Sequence, residues 1–326
     1  MNIDVHAHYI PMHGSTKLGP SEKPNLVEIV AESSQKKIAV NGKVLAPLTS
    51  NLIELTEQIA DMKNTGIDYR LLAVPPFTFF YELDVRITKK WCQFINDCIS
   101  LDIKKYPNYF GGLATLPMQN IKAAEEELER AVKVLGLKGA EIATNINGIE
   151  LDDPMLDAFW DKAERLGAFI LIHPHYVAGS SRMQDYYLRN LVGNPLDTVL
   201  AASRIIFGGV LERYPDLKIC LSHGGGYLAF AVSRFEHGFE VRSELKHLKQ
   251  APSEFLKKFY YDTIVHDTDT LRFILQKVGY ERILMGTDYP FDMGDLTPTE
   301  SIKGLNLNEC VERSILGNNA SDLIHI

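Results

Sequence analysis

Ile3-Asp4-Val5-His6-Ala7-His8 is a short apolar run, Ile3–Val5, that stops at two histidines one residue apart. Strand side chains alternate with period two, so His6 and His8 share one face and both imidazoles can reach the same point. The pattern recurs along the chain. His173 follows Phe169–Ile172, His223 follows Leu217–Leu221 and Ser222, and Asp288 follows Ile283–Met285 and Gly286-Thr287. Arg70–Val74, Tyr109–Ala114, Gly139–Ile142 and Phe259–Tyr261 complete a set of eight runs. They are short and lack strict polar alternation, as strands buried on both faces do.

Amphipathic helical patterns separate the runs. Leu52–Asn64 stops before Gly66, and Ile121–Leu135 closes at Gly136. Pro154–Leu166 opens after the capping residue Asp153, and Leu196–Tyr214 and Thr268–Val278 follow later. Glycine at the end and proline at the first helical position are ordinary helix punctuation. Repeated strand–helix alternation predicts an α/β protein, a (β/α)8 TIM barrel. Such a barrel uses roughly 250 residues, leaving about 76 of the 326 for insertions. Most of the surplus lies at about 9–50, where Lys37–Ala46 carries Asn41-Gly42, a type I′ hairpin turn. We read a small β-hairpin flap there, and no linker that would divide residues 1–326 into two domains.

Hydrophobic residues at 45% and charged residues at 23% exclude a disordered or fibrous chain. The formal charge of −8, with no basic tract, argues against nucleic acid and anionic membranes as partners. No apolar run is long enough to span a membrane, and MNIDVHAHYIP does not read as a secretory signal. Cys92 and Cys98 lie in a helical stretch and Cys220 in a strand; with Cys310 they form no CxxC pair. A reducing, cytoplasmic location is expected.

In a parallel barrel the C-terminal strand ends converge on one face, where active sites are built. His6, His8, His173 and Asp288 would thus surround one ion, with His223 beside them. Imidazoles plus a carboxylate suit zinc and also accept manganese. HxH alone is a weak signal; four strand ends in register make the argument. Lys138 opens its strand rather than ending it, and Glu141 has no evident partner, so a single metal is expected. His175 stands beside the mouth and is read as a pocket residue. Arg182 and Arg234 offer paired donors for a substrate carboxylate, or serve as surface ion-pair residues. Phe77, Phe79, Phe80 and Tyr81 form either an aromatic wall or packing. Gly224–Gly226 either leaves backbone N–H groups free for an anion or is a strand-to-helix turn that needs small residues.

HAHYIP, His173-Pro174, Ser222-His223-Gly224-Gly225-Gly226 and Gly286-Thr287-Asp288-Tyr289-Pro290-Phe291 resemble the amidohydrolase superfamily, in its aminocarboxymuconate-semialdehyde decarboxylase branch. The resemblance runs from Asp4 to about Asn319. It implies a TIM barrel with one divalent ion, held by His6, His8, His173 and Asp288, and a catalytic His223. It also implies a homodimer in which Arg234 reaches the neighbouring site. An arginine that grips substrate in the namesake enzyme corresponds here to Ala46, and a loop tryptophan to Tyr186.

The expected activity is therefore non-oxidative decarboxylation of a small unsaturated or aromatic carboxylic acid. His223 would move a proton, and Asp288 could share one while binding metal. Hydrolysis or hydration by an activated water in the same site is the alternative. A catalytically silent metal-binding barrel is the third reading.

Overall fold

All six residues of β1 (Ile3–His8) are buried, and the strand pairs in parallel with β6 (Tyr69–Ala73). In this computed structural model, which describes residues 1–32 and 35–326, the parallel series continues through β7 (Phe110–Ala114) and β8 (Gly139–Ala143). After a short antiparallel pair, β9 (Asn145–Ile146) and β10 (Ile149–Glu150), it proceeds to β11 (Phe169–His173), β12 (Lys218–Leu221), β13 (Tyr260–Asp262) and β14 (Ile283–Leu284). Val5 N–H donates to Met285 O at 3.0 Å and His8 N–H to Tyr289 O at 2.7 Å, joining the last strand to the first. The ring is an eight-stranded (β/α)8 barrel, as the strand pattern predicts.

Val5, Leu71, Leu113, Phe169, Leu171, Cys220 and Leu284 fill the inside. Leu323 and Ile324 of the last helix join this inner cluster. The alternate strand residues, such as Ile170, Ile172 and Leu72, pack outward in a second cluster with Trp91, Phe159 and Trp160 from the helices. Burying each large apolar side chain contributes about 1.5–3 kcal/mol, so the barrel is a firm base for groups at its strand ends.

The surrounding helices are α1 (Leu55–Thr65), α2 (Val85–Lys105), α3 (Ile121–Arg130), α4 (Asp157–Leu166), α5 (Asn194–Phe207), α6 (Val210–Arg213), α7 (Leu228–Val241), α8 (Pro252–Leu256), α9 (Thr268–Val278) and the short α10–α12 (Pro298–Lys303, Glu309–Arg313, Asn319–Ile324). Leu196–Tyr214, read as one helix, is broken at Gly208-Gly209, where Gly209 takes φ 68°. The flap is also larger than a hairpin. It is a four-stranded antiparallel sheet, β2 (Lys17–Leu18), β3 (Val27–Glu32), β4 (Gln35–Val40) and β5 (Lys43–Pro47). The Asn41-Gly42 turn stands where the sequence puts it, with φ of 49° and 78°. The sheet is anchored through Leu18, Val27, Ile38 and Val40, which are buried in the outer cluster.

Candidate metal centre

His6 and His8 end β1, His173 ends β11, and Asp288 follows β14; all four are buried. Their candidate ligand atoms lie within 4.8 Å of one another. Asp288 Oδ1 stands 3.0 Å from His8 Nε2, 3.5 Å from His6 Nε2 and 4.0 Å from His173 Nε2. Donors about 2.1 Å from a tetrahedral ion are about 3.4 Å apart, so this spacing fits a shared metal. His6 Nε2 and His173 Nε2 are buried without a hydrogen-bond partner, a costly arrangement that an ion would relieve. The residues present fit one divalent cation, and they are the set the sequence singles out.

Two of the rings are aimed from behind. His6 Nδ1 meets Asp262 Oδ2 at 2.8 Å, and His173 Nδ1 meets the Pro174 carbonyl at 3.0 Å. Each contact leaves Nε2 toward the centre. Asp288 N–H donates to His6 O at 2.8 Å, tying the loop after β14 to β1. His223 Nε2 lies 3.5 Å from Asp288 Oδ2, and its buried Nδ1 has no partner. Both His223 and Asp288 hold left-handed backbones, φ 55° and 57°. Such conformations need support from their surroundings.

Burial alone would raise the Asp288 carboxyl, but His223, His8 and His6 hold it well below the usual range. Burial lowers His8, and with the charges of His223 and His6 it drives His173 well below the ordinary imidazole value. His6 goes the other way: burial opposes its charge, yet the Asp262 hydrogen bond and the charges of Asp288, Asp262 and Glu141 raise it to about 9. Glu141, on β8, is buried with both carboxyl oxygens unpartnered, and burial pushes it well up. It is not in the ligand cluster. Lys138 Nζ instead donates to His325 O at 3.3 Å, consistent with its place at the start of β8.

Gly224–Gly226 is a turn and offers no free N–H row. Gly224 N–H donates to Asp262 Oδ1 at 2.8 Å, Gly225 N–H to Ser222 O at 3.1 Å and Gly226 N–H to His223 O at 2.9 Å. A Cβ on Gly224 would meet Val265 at 2.4 Å with φ at +61°, so small size explains that residue. The anion-binding reading of these amides is therefore corrected.

The aromatic run divides. Phe79 stacks on Tyr81 and Phe80 packs edge-on to Trp91, all buried. Phe77 meets Phe291, whose ring centre lies 5.1 Å from that of His8. His175 packs against Tyr176 and Phe79; burial and Arg189, which donates to the His175 carbonyl at 2.7 Å, lower its imidazole to about 4. Arg182 and Arg234 are exposed. Tyr186 is 87% exposed and Tyr187 56%; the Tyr187 phenol is raised by partial burial and by Asp292 and Asp288. The side chain of Ala46 lies outside the described residues.

Asp262 is absent from the sequence-derived set. It ends the seventh barrel strand, and its strand-end position was the signal available. Phe291 was available too, three residues beyond Asp288.

The chain belongs to the amidohydrolase family, whose profile it matches over residues 3–326. Among its relatives are a 2-amino-3-carboxymuconate-6-semialdehyde decarboxylase of Dictyostelium discoideum, 35% identical over 99% of this chain and 91% of that protein, and a gamma-resorcylate decarboxylase of Polaromonas sp. (strain JS666), 27% identical over 86% of this chain and 90% of that protein. The structure of 5-carboxyvanillate decarboxylase LigW from Sphingomonas paucimobilis superimposes with a TM-score of 0.79, at 27% identity and 85% coverage of both chains.

Proposed function

We infer that this protein is a metal-dependent, non-oxidative decarboxylase of a small unsaturated or aromatic carboxylic acid. The observation that carries the reading is the convergence of three imidazoles and Asp288 on one point, with His223 alongside. Decarboxylase relatives over nearly the whole chain favour this over hydrolysis or hydration.

Loss of CO2 leaves an electron pair on carbon, and a divalent ion in the site supplies Lewis acidity for the charge that develops. Zinc is the proposed ion, with manganese the alternative that the same donors accept. His223 gives a proton to the carbon that bears the carboxylate; the C–C bond then breaks, CO2 leaves and its electron pair restores the conjugated system. Asp288, 3.5 Å away, holds the imidazole toward the reacting carbon. Phe291 and Phe77 line one side of the substrate. Arg182, Arg234, His175 and Tyr186 read its remaining polar groups, and Tyr187 stands next to Tyr186 in the same loop.

We also propose a homodimer formed across α7. Tyr227, Phe230 and Arg234 share one helix face, and Phe230 is 77% exposed. The four cysteines are free, three of them buried, which supports a reducing, cytoplasmic setting. No helix among the described residues is long and apolar enough to cross a membrane.

The test is incubation of zinc- or manganese-loaded protein with 2-amino-3-carboxymuconate-6-semialdehyde and with gamma-resorcylate, following CO2 and ultraviolet absorbance in labelled water. CO2 release with solvent hydrogen at the former carboxyl position is expected. Products carrying solvent oxygen, without CO2, overturn the assignment.

A further inference from the structure

Asp262 touches both a metal-site histidine and the backbone of the neighbouring proton-transfer residue. Its Oδ2 accepts from His6 Nδ1–H at 2.8 Å and from His223 N–H at 2.9 Å. Its Oδ1 accepts from Gly224 N–H at 2.8 Å and Ile264 N–H at 3.2 Å. The carboxylate is wholly buried, so these four donors replace its hydration.

We propose that Asp262 is a positioning residue that fixes His6 and His223 relative to each other. One oxygen keeps the proton of His6 on Nδ1, so that Nε2 presents a lone pair to the ion. The same group, through two successive amides, holds the chain at His223-Gly224 in its left-handed turn, with φ of 55° and 61°. The imidazole of His223 is thereby aimed at the centre by the carboxylate that aims His6. A carboxylate is required because every contact is to a donor. An amide would turn an NH2 toward N–H groups, leaving donors facing donors. Ser222 provides no substitute, since its hydroxyl is buried without a partner.

The inference rests on the metal-site reading above but needs no substrate. In Asp262→Asn, checked for folding by circular dichroism, zinc affinity is measured by competition with a chromophoric chelator. Hydrogen–deuterium exchange is followed on the peptide covering residues 221–227. The expected result is a zinc dissociation constant raised about tenfold or more, together with faster exchange in that peptide. A folded variant in which either quantity is unchanged overturns the coupling. If the variant does not fold, zinc-loaded wild-type protein with 15N-labelled histidine decides: a slowly exchanging proton on His6 Nδ1 is required, and its absence overturns the proposal. Failure here leaves the decarboxylase assay untouched, and failure of that assay leaves this coupling intact.

Discussion

The guanidinium of Arg70 lies over the Tyr289 ring, 4.1 Å from its centre, and donates through Nε to Asp4 at 2.8 Å. Asp4 also accepts from the Thr287 hydroxyl at 2.7 Å and from His6 N–H at 3.2 Å. The metal-bearing ends of β1 and β14 therefore share a buried ion pair beneath them. Replacing Arg70 leaves the Asp4 carboxylate without its cation in a site that water does not reach. Arg70→Met should destabilise the metal-free protein by about 3–5 kcal/mol, read from urea unfolding. A loss near zero shows that Asp4 is neutral once Arg70 is gone.

Metal uptake should depend on pH through His6. Its raised value of about 9 means that the ring carries a proton at pH 7 in the metal-free protein, whereas His8 and His173, both lowered, do not. The ion must displace that proton, so affinity rises with pH up to about 9 and levels off above it. Calorimetry in buffers of different ionisation enthalpy should find about one proton released per ion at pH 7. Release of none shows that His6 is already neutral.

Removing the metal should lower thermal stability without unfolding the barrel, because the strands are held by the two apolar clusters rather than by the ion. At an ion concentration of 100 times the dissociation constant the loaded form gains about 2.7 kcal/mol. Scanning calorimetry before and after chelation should show a shift of several degrees. Loss of the cooperative transition after chelation contradicts the expectation.

His223→Asn should retain the ion and lose turnover. His223 is outside the ligand set, so metal content measured by atomic emission stays at one per chain, while kcat falls about 10²–10⁴-fold, the usual worth of a positioned proton donor. Loss of the ion in this variant reassigns His223 to metal binding.

Phe230→Glu tests the proposed dimer. A charge at this exposed apolar position should convert a dimer to monomer in sedimentation at micromolar concentration. An unchanged dimer places the interface elsewhere.

The barrel and its ion site were legible because a buried parallel strand announces both its length and its end. His6, His8, His173, His223 and Asp288 each close or follow an apolar run, and Asp262, directly after Phe259–Tyr261, carries the same signal. The flap was only half legible. Asn41-Gly42 fixes one turn, but β3 and β4 mix charged with apolar residues, and in β4 Gln35 and Lys36 are exposed while Ile38–Val40 are buried, so no alternation marks the strand. Asp262 was missed for another reason. Its strand-end position marks it, but its partner does not show in the sequence, since the contact is with His6, 256 positions away.

The bonds from Val5 to Met285 and from His8 to Tyr289 bring together two strands that lie far apart in sequence. His8 and Asp288 are 280 positions apart, so no short stretch of the chain carries the whole chelate. High affinity arises only when the final staves close the cask. Capture of the ion thus reports closure of the ring, and loss of the segment after His223 abolishes it while leaving every histidine of the set in place.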